Sequence, residues 1–296
     1  MLKQSRLKTF LQQQKNLFRG QGVESPDLSA ELLLAEALGL ARSELLKLLI
    51  LEPKRAVKSS ELQALEAMAA RRLNGEPTAY ILGEKEFYGR PFKVTPAVLI
   101  PRPETELLID TAKECFKGQI SGKFADLGTG SGCIAATLAL ELGSGWHGLA
   151  LEKSAAALEV AGQNIAALGA APQVALASGD FNSFAIAPGS LDLLVSNPPY
   201  ISEDEYLALD KGVRAYEPKN ALVPAGHTSA TGDEDLVTIA LLAGAALKSG
   251  GILIMEMGCS QREAMREFFN SRSEWRDFQI IKDLAGLDRL VLALRS

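Results

Sequence analysis

The sequence predicts an α/β protein: a doubly wound, mostly parallel sheet domain preceded by a small helical domain and a β-hairpin linker. Three observations predict this. From about residue 101 strand-like and helix-like segments alternate, which is the rhythm of a parallel sheet with helices on both faces. Before residue 75 the apolar residues fall at helical spacing with no strand pattern. Between the two, Phe87, Tyr88, Phe92, Val94, Val98, Leu99 and Ile100 are β-formers broken by Gly89, Pro91 and Pro96. The domains expected are 1–84 (helical), 85–100 (hairpin linker) and 101–296 (α/β).

The first twenty-two residues carry Lys3, Arg6, Lys8, Lys15 and Arg19 and no acid, a composition also found in organellar targeting peptides. Leu2, Leu7, Phe10, Leu11 and Leu17 stand at roughly helical spacing, and the segment reads better as an amphipathic helix. Ser25-Pro26-Asp27 offers an N-cap with proline at the first helical position, after which Leu28, Leu32 and Ala35 line one face up to a stop at Gly39. Ser60 and Gln63 form a capping-box pattern ahead of Leu62, Leu65, Ala69 and Leu73, and Asn74-Gly75 ends that helix.

In the second region, strands are expected at 124–127, 146–151, 174–177, 191–195, 252–257, 278–281 and 287–294, with helices at 133–142, to about 168, and at 235–247. Ligands in such sheets bind beyond the carboxyl ends of the strands, where the winding reverses.

A chain of 296 residues with 47% hydrophobic and 23% charged residues can build a sizeable core without a metal or disulfide. The net charge of -5 argues against wrapping nucleic acid through a general basic surface. No run of eighteen apolar residues occurs, so no membrane span is expected. Cys115, Cys133 and Cys259 lie far apart and the only histidines are His147 and His227, so no metal site is expected and each cysteine reads as a reduced core residue of a cytoplasmic protein.

Asp126-Leu127-Gly128-Thr129-Gly130-Ser131-Gly132 falls where the first strand meets the first helix of the α/β region. Alternate glycines let the backbone turn sharply and approach a ligand, and the helix start offers free N–H groups. Alone, the loop can serve a dinucleotide or another nucleoside cofactor; the final glycine of GxGxxG would fall on Cys133, which weakens the dinucleotide reading. Glu152 ends the second strand, where a carboxylate can accept hydrogen bonds from both ribose hydroxyls. Asp180-Phe181 follows the third strand and can hold an adenine by its amino group and face; a loop turn with a packed ring is the alternative.

Asn197-Pro198-Pro199-Tyr200 directly follows the fourth strand. The prolines fix φ, remove two donors and leave carbonyls free, while Asn197 supplies a side-chain acceptor. An NH₂ group donating to Asn197 and to the Pro198 carbonyl is held with its lone pair perpendicular to both bonds, aimed at an electrophilic methyl. Tyr200 can stack on the planar group that carries the nitrogen. Methyl transfer from a sulfonium needs in-line positioning and little else, so a motif without a strong base suits it.

These residues resemble the protein-(glutamine-N5) methyltransferases of the PrmC/HemK type, which modify peptide chain release factors. The resemblance runs in order through Pro77–Gly83, Phe87-Tyr88-Gly89, Leu99-Ile100-Pro101-Arg102-Pro103-Glu104-Thr105-Glu106, Asp126–Ile134, Ser196–Ile201, Tyr216-Glu217-Pro218 and Gly286–Arg289. It implies a Rossmann-like, seven-stranded class I methyltransferase domain with S-adenosylmethionine as cofactor. It also implies a helical domain that recognises class-1 release factors and an acceptor glutamine in their Gly-Gly-Gln loop. By the same resemblance, Asp126 and Gly128 through Gly132 form the cofactor loop, Glu152 stands where the family commonly has aspartate, and Phe181 where it has another bulky side chain. Asn197, Pro198, Pro199 and Tyr200 bind the glutamine. Arg102 and Glu104 form either part of the wall over the cofactor or an ion pair that pins the linker. A cytoplasmic monomer without nucleic acid or membrane partners is expected. Two alternatives stand beside this reading: an amino-methyltransferase acting on adenine or guanine of nucleic acid, and a non-catalytic cofactor-binding partner of the translation machinery.

Overall fold

The structure is a computed structural model, and it describes residues 6–224 and 231–296. Leu2, Lys3 and His227 lie outside the described residues. The chain forms two compact units, one of residues 1–83 with 210–216, the other of residues 84–209 with 217–296.

The first unit contains α1 (Leu7–Gly20), α2 (Pro26–Ala37), α3 (Arg42–Leu51), α4 (Ser59–Leu73) and α5 (Thr78–Leu82). Its core gathers Leu7, Phe10, Leu11 and Phe18 of α1, Leu33 and Leu34 of α2, Leu45 of α3 and Leu65 of α4. Several sequence expectations are corrected here. Leu17 and Leu28 face outward, their places in the core taken by Phe18 and by Leu33 and Leu34. The reason is that polar and apolar residues of α2 are not segregated to opposite faces, so spacing alone does not choose its inner face. Ser25 has a left-handed φ of 46° and no capping bond, and α2 is started by Pro26 alone. In α4 the cap is Lys58, whose N–H donates to the Glu61 carboxylate at 2.8 Å, two residues before the expected Ser60–Gln63 box. The half-buried Lys15 and the exposed Arg42 both pair with Glu31, which ties α1, α2 and α3 through one carboxylate.

The second unit opens with a hairpin of β1 (Glu84–Phe87) and β2 (Arg90–Lys93). Its two-residue turn needs positive φ at both positions, met by Tyr88 (52°) and Gly89 (72°). The hairpin is shorter than expected: Val94–Ile100 form no strand. Buried Asn164 anchors it, accepting from Lys93 N–H at 2.7 Å and donating to the Lys93 carbonyl at 2.9 Å.

There follow α6 (Glu106–Cys115), β3 (Gly122–Leu127), α7 (Cys133–Leu142), β4 (Trp146–Glu152), α8 (Ala155–Ala167), β5 (Val174–Ser178), β6 (Leu191–Ser196) and α9 (Glu203–Ala208). After α10 (Lys211–Tyr216), which clusters with the first unit, come α11 (Glu234–Ala246), β7 (Leu247–Glu256), α12 (Arg262–Asn270), β8 (Trp275–Lys282) and β9 (Asp288–Arg295). The seven strands pair in the order β5-β4-β3-β6-β7-β9-β8, with β5 through β7 parallel and β9 and β8 antiparallel at the end. Strand residues alternate between two cores: Leu193, Val195 and Ile254 pack with α6, α7 and α8, while Leu194, Leu253 and Met255 pack with α11 and α12. Winding runs outward from β3 to β5, then restarts on the other side at β6, so the switch point lies between β3 and β6. Among the described residues no helix is long and apolar enough to cross a membrane. The cysteine expectation is corrected in part: only Cys133 is buried, and Cys115 and Cys259 are exposed free thiols.

Packing across β3 and β4 is close enough to require a glycine. A Cβ on Gly148 would sit 2.2 Å from Cζ of Phe124, a ring that is itself fully buried. Gly148→Ala therefore lowers unfolding free energy by about 1–3 kcal/mol, measured by urea denaturation. An unchanged midpoint would show that Phe124 can step aside.

Candidate active site

A cleft open to solvent lies at the switch point and is lined by the Gly128–Ser131 loop, Glu152, Asp180, Phe181, Asn197 and Pro199. Three parallel strands end level there, since Leu127 is paired with both Leu151 and Ser196. Glycine is required at three loop positions, where φ is 72° (Gly128), 54° (Gly130) and 79° (Gly132). Gly132 is doubly constrained, because a Cβ would meet the Ala161 backbone of α8 at 3.2 Å. Asn164 also donates to the Ser131 carbonyl at 2.8 Å, so one buried amide holds both the loop and the hairpin.

Asp126 stands behind this loop rather than at the cleft. It is completely buried, accepting from the Thr129 hydroxyl at 2.6 Å and from Ala135 N–H at 3.2 Å. Its role is to close the loop onto the start of α7. Burial, with the Glu152 charge nearby, pushes its carboxyl up to about 7 despite those two bonds.

Glu152 is buried at the cleft wall. Its Oε2 accepts from Gly130 N–H at 3.0 Å and its Oε1 from Ser154 N–H at 2.9 Å. A carboxylate offers about four lone-pair sites, so each oxygen keeps one free for a ligand hydroxyl. Asp180 caps its own turn, accepting from the backbone and side-chain N–H groups of Asn182 at 2.9 and 2.7 Å, and the Phe181 ring is buried beside it.

The tetrad divides. Asn197 and Pro199 reach the cleft, Pro198 is buried, and Tyr200 packs against the α11–α12 core with its hydroxyl 2.9 Å from Glu256 Oε1. Asn197 Nδ2 donates to the Thr105 hydroxyl at 3.1 Å, and Thr105 Oγ1 lies 2.7 Å from Glu256 Oε2. Glu256 is fully buried at the end of β7; burial raises its carboxyl, opposed by the Thr105 and Tyr200 bonds and by the Arg289 charge. Burial, together with Glu256, also raises the Tyr200 phenol. Arg102 lines the cleft and pairs with buried Glu217 at 2.7 Å, while Glu217 also accepts from Ile100 N–H at 3.2 Å. The expected partnership of Arg102 with Glu104 is corrected: Arg102 pairs with Glu217, and Glu104 is exposed and does not line the cleft.

Sequence reading missed Thr105, Asn164 and Glu256. Thr105 lay in a quoted motif, and a lone glutamate ending an otherwise apolar strand, Ile252 to Met257, was the available signal for Glu256.

Asp126 gives a pH prediction. Unfolded, it titrates near 3.8; folded, near 7. Between those values the folded state keeps a proton the unfolded chain has released, so this contribution is full below the lower value and lost as pH rises through the upper one. Wild-type stability relative to Asp126→Asn should fall by on the order of a few kcal/mol from pH 4 to pH 7.5, measured by denaturant titration. A pH-independent difference would refute the assignment.

A family model described as the PrmC N-terminal domain matches residues 9–83, and one described as the methyltransferase small domain matches residues 103–229. The release factor glutamine methyltransferase of Nitratidesulfovibrio vulgaris is 46% identical over 93% of this chain and 90% of its own. That of Chlorobaculum tepidum is 41% identical over 92% and 91%, and that of Koribacter versatilis 40% identical over 90% and 91%, respectively. Relatives alike to this degree over nine-tenths of the chain show its family: the chain belongs to the release factor glutamine methyltransferases.

Proposed function

We propose that the cleft holds S-adenosylmethionine and that the enzyme methylates the side-chain amide nitrogen of the glutamine in the Gly-Gly-Gln loop of class-1 peptide chain release factors. The observation that carries this reading is Asn197: its NH₂ is occupied by Thr105, which leaves its oxygen as the acceptor at the cleft. Family membership favours the amide acceptor over the nucleic-acid base. A cytoplasmic monomer is the setting this reading implies, with the helical unit recognising the folded release factor.

The lining residues fit the cofactor. Three positive-φ glycines present backbone without side chains, Glu152 keeps two acceptor sites for ribose hydroxyls, and Asp180 and Phe181 offer a carboxylate and a ring to adenine. When bound, the cofactor supplies an electrophilic methyl on a sulfonium. The chain's own task is to hold the acceptor. An amide nitrogen shares its lone pair with the carbonyl, so it attacks only when both N–H bonds are held and the lone pair faces the methyl. Asn197 Oδ1 and the Pro198 carbonyl supply the two acceptors. Held by Asn197 Oδ1 and the Pro198 carbonyl, the amide nitrogen would become strongly acidic once it carries the methyl, and its proton would pass to water. No positioned base is needed.

Two substitutions test this. Glu152→Ala removes both the ribose acceptors and the brace on Gly130 N–H, each bond worth roughly 1.5–3 kcal/mol. Calorimetry should show cofactor affinity reduced by about tenfold or more; unchanged affinity would put the ribose elsewhere. Asn197→Ala should lower kcat on a release factor by about 10²–10³-fold, with cofactor affinity far less affected. Near-normal turnover would remove Asn197 from the chemistry.

A further inference from the structure

Asn197 presents its oxygen to the cleft only if its amide is held one way round, and the two ends of a side-chain amide are nearly equal in shape. The chain of bonds behind it decides which end faces outward. Glu256 Oε1 takes the Tyr200 hydroxyl at 2.9 Å and Oε2 takes the Thr105 hydroxyl at 2.7 Å. Glu256 Oε2 accepts from the Thr105 hydroxyl, so the single Thr105 proton is committed to Glu256. The Thr105 oxygen is then left as an acceptor, and a donor must face it. Of the two ends of the Asn197 amide only Nδ2 can be that donor, and it lies 3.1 Å away. Glu256 lies beside Asn197 because Ser196 of β6 is paired with Met255 of β7. The Arg289 guanidinium, paired with Asp283 at 3.1 Å, offsets the buried Glu256 charge.

We propose that Thr105 and Glu256 are positioning residues that lock the Asn197 amide with its oxygen toward the cleft, and so make the site selective for a side-chain amide over a carboxylate. The inference rests on the reading of Asn197 as the acceptor for the glutamine NH₂. With the lock in place, a glutamine NH₂ meets two oxygens, and a glutamate in the same position brings a carboxylate against those oxygens. Without it, Asn197 turns over at little cost: the NH₂ of glutamine then meets another NH₂, and a glutamate finds a donor.

The test compares wild type, Thr105→Val, Thr105→Ser, Glu256→Gln and Asn197→Ala. The substrate is a release factor, and the competitor is the same factor carrying glutamate at the acceptor position. Thr105→Val keeps the shape and loses the hydroxyl. It should lower kcat by about 10–100-fold with cofactor affinity unchanged; this is a smaller loss than that expected for removing the contact outright. Thr105→Ser should recover most of that loss. The ratio of the competitor's KI to the substrate's KM should fall by about tenfold in Thr105→Val and in Glu256→Gln, a change that altered folding alone does not produce. Thr105→Val turnover within twofold of wild type, or equal loss in the Val and Ser variants, would overturn the lock. So would an unchanged KI/KM ratio in the Val and Gln variants that remain folded. If Asn197→Ala is itself fully active, the underlying reading of Asn197 fails instead.

Discussion

Four parallel strands, β4, β3, β6 and β7, end in one register, and the site exists because of it. Leu127 lies level with Leu151 and with Ser196, and Ser196 lies level with Met255. The next residues along these strands are Gly128, Glu152, Asn197 and Glu256, so four unrelated stretches of chain meet at one edge of the sheet. Ser196 reinforces the pairing, donating its hydroxyl to the Leu127 carbonyl at 2.7 Å. A one-residue slip in any of these pairs would turn every side chain of that strand to the opposite face. The apolar residues that alternate between the two cores thus hold the chemistry in place as well as the fold.

Buried polar groups then refine what the register sets roughly. Asn164 satisfies three backbone groups across the hairpin and the glycine loop, and Glu217 joins the Arg102 side chain to the Ile100 backbone. Glu152 holds the loop from the cleft side and Asp126 from behind. Each would cost several kcal/mol if left unpaired in the interior, so each bond narrows the positions open to the loop it holds. The result is a cleft prepared before a ligand arrives, which suits a reaction that depends chiefly on aim.

Much of the catalytic fold was legible because parallel strands buried on both faces read as continuous apolar runs. Helix α7 follows its glycine loop at Cys133, as the spacing indicates. Strand β7 was harder: it begins at Leu247, and Lys248, Ser249, Gly250 and Gly251 interrupt its apolar pattern where its pairing with β6 shifts. The helical unit was legible in kind but not in orientation, since polar and apolar residues of α2 are mixed around the helix and its inner face depends on what packs against it. In the site, the glycines and Asn197 announced themselves by residue type. Thr105 and Glu256 did not, because their importance lies in a meeting of residues 151 positions apart that only the strand register reveals.

The most direct measurement is the mass of the product. A class-1 release factor incubated with this enzyme and S-adenosylmethionine, then digested and sequenced by mass spectrometry, should carry one methyl group on the side-chain nitrogen of the Gly-Gly-Gln glutamine and on no other residue. A factor left unmodified by active, cofactor-binding enzyme, or a methyl found on a different residue, would contradict the account.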